Sequence, residues 1–202
     1  ANVCGMRPTI RITGIHCTDE IEQMWADTYR FDDARLGGGM WGVVAICGLV
    51  ADDVRVSAAV LAPSAALVAP TETEQPLLQK PPAFAVEGLL QWWAKTTVLA
   101  AGGTVGMAQR CVAYECKDSE VSAFEEVMAD TAGSNGRDVE GLMCSCASMP
   151  TPRQFASMAV LNSQISLKKH IAAMHAVFSA RVEPVVAQTL FEKSGVVHCA
   201  FF

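Results

Sequence analysis

The chain has 202 residues, of which 51% are hydrophobic and 18% charged, with a net charge of −6. That length suits one domain with a substantial core, and the acidic balance excludes a bulk basic field for nucleic acid, though not a local basic groove. Average soluble domains carry about 25% charged residues, so so thin a charge coat predicts apolar surface covered by neighbouring copies.

A membrane span is excluded by length. The longest apolar run, Met40 to Ala51, is twelve residues, against about 20 for a spanning helix. The N-terminus does not resemble a signal peptide, because Arg7 and Arg11 interrupt it and no apolar segment follows. The eight cysteines lie mostly inside apolar runs and no Asn-x-Ser/Thr sequon occurs. Reduced, buried thiols in a cytosolic protein are therefore expected rather than disulfides.

In chain order, residues 1–18 read as an N-terminal arm with a weakly alternating edge strand near Arg7 to Thr13. Thr18 caps a helix from Asp19 to Tyr29, with Ile21, Met24, Trp25 and Tyr29 on one face. Gly37 to Gly39 break the chain. Met40 to Ala51 and Val54 to Val68 are ambiguous between buried helix and buried strand. A proline loop runs from Pro70 to Pro82. Phe84 to Ala101 reads as a helix ended by Gly102 and Gly103, and Gly106 to Cys116 also reads as helical. Ser119 to Thr131 is a short helix with Val121, Phe124 and Met128 inward. After a turn at Gly133 to Gly136 and the segment Asp138 to Met149, a long helix opens. Thr151 can cap it, Pro152 fits its first position and Gln154 completes a capping box. It runs some thirty residues, carries Lys168, Lys169 and His170, and ends near Pro184. Residues 184–202 form an apolar C-terminal arm. The expected fold is mainly α: a helical bundle core over 19–183 with extended N- and C-terminal arms. No internal repeat is visible.

Catalytic and metal signatures are weak. Cys144 and Cys146, His198 and Cys199, or Cys111 and Cys116 lack the paired C-x-x-C spacing of zinc sites. A Cys17–His175 nucleophile pair would need adjacency that no spacing shows. The glycines at 37–39 lack the Lys-Ser/Thr of a phosphate loop, and the acidic neighbours Glu125–Glu126 and Asp52–Asp53 do not face each other on a helix. No metal and no cofactor is expected.

Taken in order, several motifs resemble the coat proteins of flexible filamentous plant viruses, the potexvirus and carlavirus group. Trp41, Cys47 and Val50 match the family's spacing in its first third. Gln109, Cys111 and Tyr114 match a helix motif whose arginine is Ala108 here, with Arg110 the nearest substitute. Ser122 to Glu125, Glu140 to Met143, Pro150 to Pro152, and Lys168 with Lys169 follow in the family's order, so the resemblance runs from Asp19 to about Ala180. It implies a non-enzymatic capsid subunit in a virion and host cytoplasm, polymerising with itself through its arms. Single-stranded RNA would be held without sequence preference by Gln109, Arg110, Glu125, Lys168 and Lys169. The alternatives are a cytosolic α-helical adaptor or oligomerisation module with no nucleic acid, and a thiol- or zinc-dependent enzyme.

Overall fold

The described parts of the two apolar runs that leave helix and strand undistinguished in the sequence, Val43–Ala51 and Val54–Leu61, fold as strands. The computed structural model describes residues 8–16, 43–51, 54–61, 82–95, 106–135 and 139–201. In chain order these form β1 (Thr9–His16), β2 (Val43–Ala51), β3 (Val54–Leu61), β4 (Phe84–Lys95) and β5 (Ala108–Cys116). A short 3-10 turn (Asp118–Glu120) leads into α1 (Val121–Asn135). Then come β6 (Leu142–Thr151), β7 (Gln154–Leu161), α2 (Gln164–Val177) with a π turn at Phe178–Val182, and β8 (Val186–Phe201).

The described strands close into a barrel in the order β1-β3-β2-β8-β5-β7-β6-β4, every neighbouring pair antiparallel. The second half, β5-α1-β6-β7-α2-β8, is a ferredoxin-like βαββαβ unit with sheet order β8-β5-β7-β6. The first half repeats that strand order as β4-β1-β3-β2. The registers repeat too, since Thr9 opposes Leu61 as Ala108 opposes Leu161. The chain therefore contains a duplicated plan that its residues no longer advertise. Each half lends its last strand to the other: β4 pairs with β6, and β8 pairs with β2.

Two apolar layers follow from this closure. Ile10, Ile12, Val56, Cys111, Cys146 and Met158 belong to the barrel interior. On the outer face of the second half, α1 and the π turn pack Phe124, Met128 and Val182 against Val112, Tyr114 and Phe155. A sheet covered on both faces needs apolar residues at successive positions, which erases the period-two alternation of a half-exposed strand. Two glycines serve close packing. A Cβ on Gly14 would lie 2.3 Å from the ring of Phe84, which stacks on Phe191 at 4.1 Å. A Cβ on Gly88 would meet Ser148 Oγ at 2.4 Å and the Pro150 backbone at 2.7 Å, at the seam where Ser148 Oγ donates to Leu89 O.

The expectation of a mainly α bundle with two arms is thus corrected. Residues 9–16 and 186–201, placed in the arms, are barrel strands; the residues read as helical at 84–95 and 108–116 are β4 and β5. The thirty-residue helix from Pro152 divides into β7 and α2. Thr151 Oγ1 does accept a backbone N–H, but that of Arg153 inside the β6–β7 hairpin, where a hydroxyl-stabilised turn uses the same local chemistry as a helix cap. The working cap is Ser163, whose Oγ accepts from Ser166 N. The helix read from Ser119 corresponds to the 3-10 turn and α1, with Phe124 and Met128 fully buried. The Asp19–Tyr29 helix, the glycines at 37–39 and the loop at 70–81 lie outside the described residues. Because Gly88 has no room for a methyl group, Gly88→Ala should cost about 1–3 kcal/mol of stability through strain at the β4–β6 seam, read as a lower urea midpoint.

Candidate functional site

The outer face of the second half's sheet carries a cavity of about 320 Å³ beneath α1 and α2, at the small end of the roughly 300–1,000 Å³ typical of ligand pockets. Its floor follows from strand register, because directly opposed residues share a face. One row runs Trp92, Ala147, Ser157 and Val112 across β4, β6, β7 and β5, with Glu192 of β8 next in line beyond the cavity edge. The next runs Ala94, Ser145, Ala159 and Arg110, with Ser194 beyond the edge. Small side chains at the centre of both rows leave the space, while Trp92 closes one end and Arg110 and Tyr114 the other. Three strand spacings separate those ends, about 14 Å. The roof comes from Met128, Thr131 and Ala132 of α1, from His170, Met174 and Val177 of α2, and from Phe178.

The polar chemistry gathers at the arginine end. Arg110, 11% exposed, gives Nε and Nη2 to Glu192 Oε1, each at 2.9 Å, and Nη2 also donates to Tyr114 Oη at 3.3 Å. Tyr114 is 6% exposed, stacked on Phe155 at 6.4 Å and tilted against Phe178 at 5.3 Å. Burial raises the Tyr114 pKa, with Glu192 adding to the rise, and Arg110 opposes it. The phenol therefore stays protonated at neutral pH. Its oxygen accepts from Arg110, and among the described residues no acceptor takes its hydrogen. His170 is 7% exposed, and burial, reinforced by the Arg110 charge, pushes its pKa from 6.5 down to about 4. The imidazole is neutral at physiological pH and makes no hydrogen bond to a described residue. A phenol hydrogen and an imidazole that open onto one cavity, with no protein acceptor or donor using them among the described residues, are groups a ligand could engage.

The residues singled out from the sequence separate. Arg110 belongs to the cavity. Gln109 is fully buried on the opposite, interior side of β5, where its Nε2 donates to Cys111 Sγ. Glu125 is exposed on α1; Lys168 and Lys169 are exposed on α2, with Lys169 paired to Glu140 at 2.9 Å. These residues do not share one surface. Cys111, Cys116, Cys144 and Cys146 are buried and in no disulfide. Burial raises the Cys146 pKa and pushes Cys111 up to about 12, which keeps both as unreactive thiols. Among the described residues no group of three or more His, Cys, Asp or Glu could hold a metal ion. Sequence reading attached no role to His170, Tyr114, Glu192 or Trp92. The adjacent Trp92 and Trp93 were the available signal: Trp93 packs with the interior cluster and Trp92 with the outer one, and both border the cavity.

No family model and no curated protein matches the chain. Solved structures do. A candidate monooxygenase of Fusobacterium nucleatum superposes with a TM-score of 0.74 at 12% identity, over 98% of this chain and 95% of that one. A candidate monooxygenase of Lactobacillus acidophilus gives 0.62 at 11% identity, over 97% and 96%. An anthrone oxidase-like protein gives 0.56 at 10% identity, over 95% and 91%. At such identities the likeness establishes the fold. It overturns the coat-protein resemblance, because the chain shares over nearly its whole length the β-rich fold of these three proteins and not the helical bundle that the resemblance implied. The virion setting and the non-enzymatic, RNA-coating role are withdrawn with it. The motif order that suggested them falls on strands here: Gln109, Arg110, Cys111 and Tyr114 lie on β5, not on a helix.

The His170 environment sets an acid sensitivity. The unfolded chain binds the imidazole proton near pH 6.5 and the folded chain only near 4. The stability tied to keeping His170 neutral is therefore complete above pH 6.5 and is lost as pH falls toward 4, by roughly 3 kcal/mol. Urea midpoints at pH 7 and pH 4.5 should draw closer together in His170→Gln than in the wild type; an unchanged difference would contradict a buried neutral imidazole.

Proposed function

We propose that the cavity oxygenates a planar aromatic ketone or its enol with dioxygen. The observation that carries this reading is the convergence of Arg110, the Tyr114 phenol and neutral His170 at one end of a flat, apolar slot closed by Trp92 at the other. Support from outside the chain is that structures of the same fold are named as monooxygenases and one as anthrone oxidase-like. A tricyclic aryl ketone matches a slot about 14 Å long, with its carbonyl oxygen directed at Arg110 and Tyr114.

The chemistry follows from those roles. His170, neutral above pH 4, accepts a proton from the carbon activated by the carbonyl group. Its basicity in the free protein is low. The enolate that forms beside it raises that basicity, and the Arg110 cation with the Tyr114 hydroxyl stabilises the charge accumulating on oxygen. The electron-rich enolate carbon then delivers one electron to dioxygen, the radical pair joins at carbon as a peroxide anion, and that anion takes back the proton held by His170 to become a hydroperoxide. Loss of water converts the original methylene to a second carbonyl. The balance is ArCH2Ar plus O2 giving ArC(=O)Ar plus H2O. The methylene supplies four electrons, one oxygen atom enters the product and the other leaves as water.

1,8-Dihydroxyanthrone is the probe of choice, with dioxygen uptake followed at an electrode and the quinone by absorbance. Arg110→Met should lower kcat/KM by roughly 10²–10³, the usual loss on removing an oxyanion donor, and His170→Gln by roughly 10²–10⁴. Wild-type uptake no faster than the uncatalysed oxidation, across anthrones and related hydroxyaryl ketones, would refute the reading.

A further inference from the structure

We propose that Glu192 is the positioning residue of this site: its Oε1 anchors one edge of the Arg110 guanidinium and turns the rest toward Tyr114 and the cavity. Only in taking the cavity for a reaction site does this rest on the function proposed above. Glu192 is not itself among the residues lining the cavity, so it would act through Arg110 and not on a ligand.

Geometry and exposure both support it. The carboxylate uses a single oxygen for both Nε and Nη2 at 2.9 Å, which fixes the plane of the guanidinium, and Nη2 remains near enough to reach Tyr114 Oη at 3.3 Å. Among the described residues no acceptor takes the Nη1 hydrogens, which leaves that nitrogen available to a ligand oxygen. The Glu192 side chain is 40% exposed and that of Arg110 only 11%, so the carboxylate stays well hydrated while it holds a nearly buried cation. A nearly buried cation needs such a partner. The first half supplies a comparison. Arg11 occupies the register position of Arg110 and pairs with Glu87 of β4 at 2.7 Å, but both side chains are about half exposed, 47% and 51%, and Ile15 stands where Tyr114 stands. The arginine–glutamate pair recurs; a phenol for it to direct does not.

The titratable and charged groups facing Arg110 are Tyr114 on its own strand, Glu192 on β8 and His170 on α2. Opposite it, β7 and β6 present Ala159 and Ser145, and α1 presents Met128 and Thr131. Two substitutions separate anchoring from bulk stability. Glu192→Gln keeps an acceptor oxygen and removes the charge, so Arg110 stays in place. Tyr114 should then ionise at lower pH than in the wild type, because the carboxylate that raises its pKa is gone, while His170 stays low. Glu192→Ala removes the anchor, Arg110 leaves, and the His170 midpoint should rise above about 4 by the part that cation contributes, while burial, the larger cause, still holds it below 6.5.

Both midpoints are measured in the free protein, His170 by side-chain NMR with His170→Gln for assignment and Tyr114 by ultraviolet titration with Tyr114→Phe. Near-UV circular dichroism checks the fold. Wild-type midpoints for both groups in a folded Glu192→Ala protein overturn the proposal. If that variant does not fold, Glu192→Asp, which keeps the charge on a side chain one methylene too short to hold Arg110 in the same place, should raise the His170 midpoint, and a wild-type His170 midpoint there overturns the proposal instead. No substrate enters the experiment, so an inactive chain can still show the anchoring and an active one can lack it.

Discussion

Strand exchange between two halves is the constraint from which the rest of this molecule follows. A four-stranded ferredoxin-like sheet has two free edges, and unpaired edges are both a hydrogen-bonding deficit and an invitation to aggregate. Here β4 pairs with β6 and β8 with β2, so each half's last strand seals an edge of the other and the described sheet has none. Closure also creates an enclosed interior, filled by Ile10, Ile12, Val56 and Met158. On the second half it leaves an outer face that must be covered again by helices. The greasy composition, first attributed to burial between copies, is largely explained by these two layers within one chain.

The candidate site is a product of the same exchange. Trp92 reaches the second half's cavity only because β4 crosses to β6, and Glu192 stands beside Arg110 because β8 lies against β5. Neither is near its partners in sequence. Rigid strands fix the floor and its small residues, while the helices contribute His170 and the apolar roof, a division that suits a site needing fixed polar geometry in a dry slot. The interior thiols lie on the far side of the same strands, where burial makes them packing groups and not nucleophiles.

What the residues revealed beforehand divides along a physical line. A helix whose apolar positions face one way was readable: Phe124 and Met128 lie one turn apart among polar neighbours, and α1 forms there. Strands buried on both faces were not, because Phe155, Ala156, Met158 and Val160 present apolar atoms to both layers and mimic a hydrophobic helix. Thr151 added a second ambiguity, since a hydroxyl that holds a hairpin and one that starts a helix make the same kind of local bond. The repeat was invisible because equivalent positions, such as Ile15 and Tyr114, or Ile10 and Gln109, share register without sharing chemistry. Arg110 alone among the expected functional residues reached the cavity, for a reason unrelated to the RNA role first attached to it. Its partners Tyr114, His170 and Glu192 come from three separate elements, and no spacing in the chain announces their meeting.

The duplicated plan has a consequence for the molecule's symmetry. Two identical subunits assembled in this way would be bound to carry two equivalent pockets, and any change in one would appear in the other. Joined in one polypeptide, the halves escape that obligation: the Arg11 half keeps the strand order and the ion pair but has an isoleucine in place of the phenol. One half can then drift toward scaffolding while its twin specialises, so that chemistry depending on Tyr114 occurs once per polypeptide, on one side of a pseudo-twofold barrel.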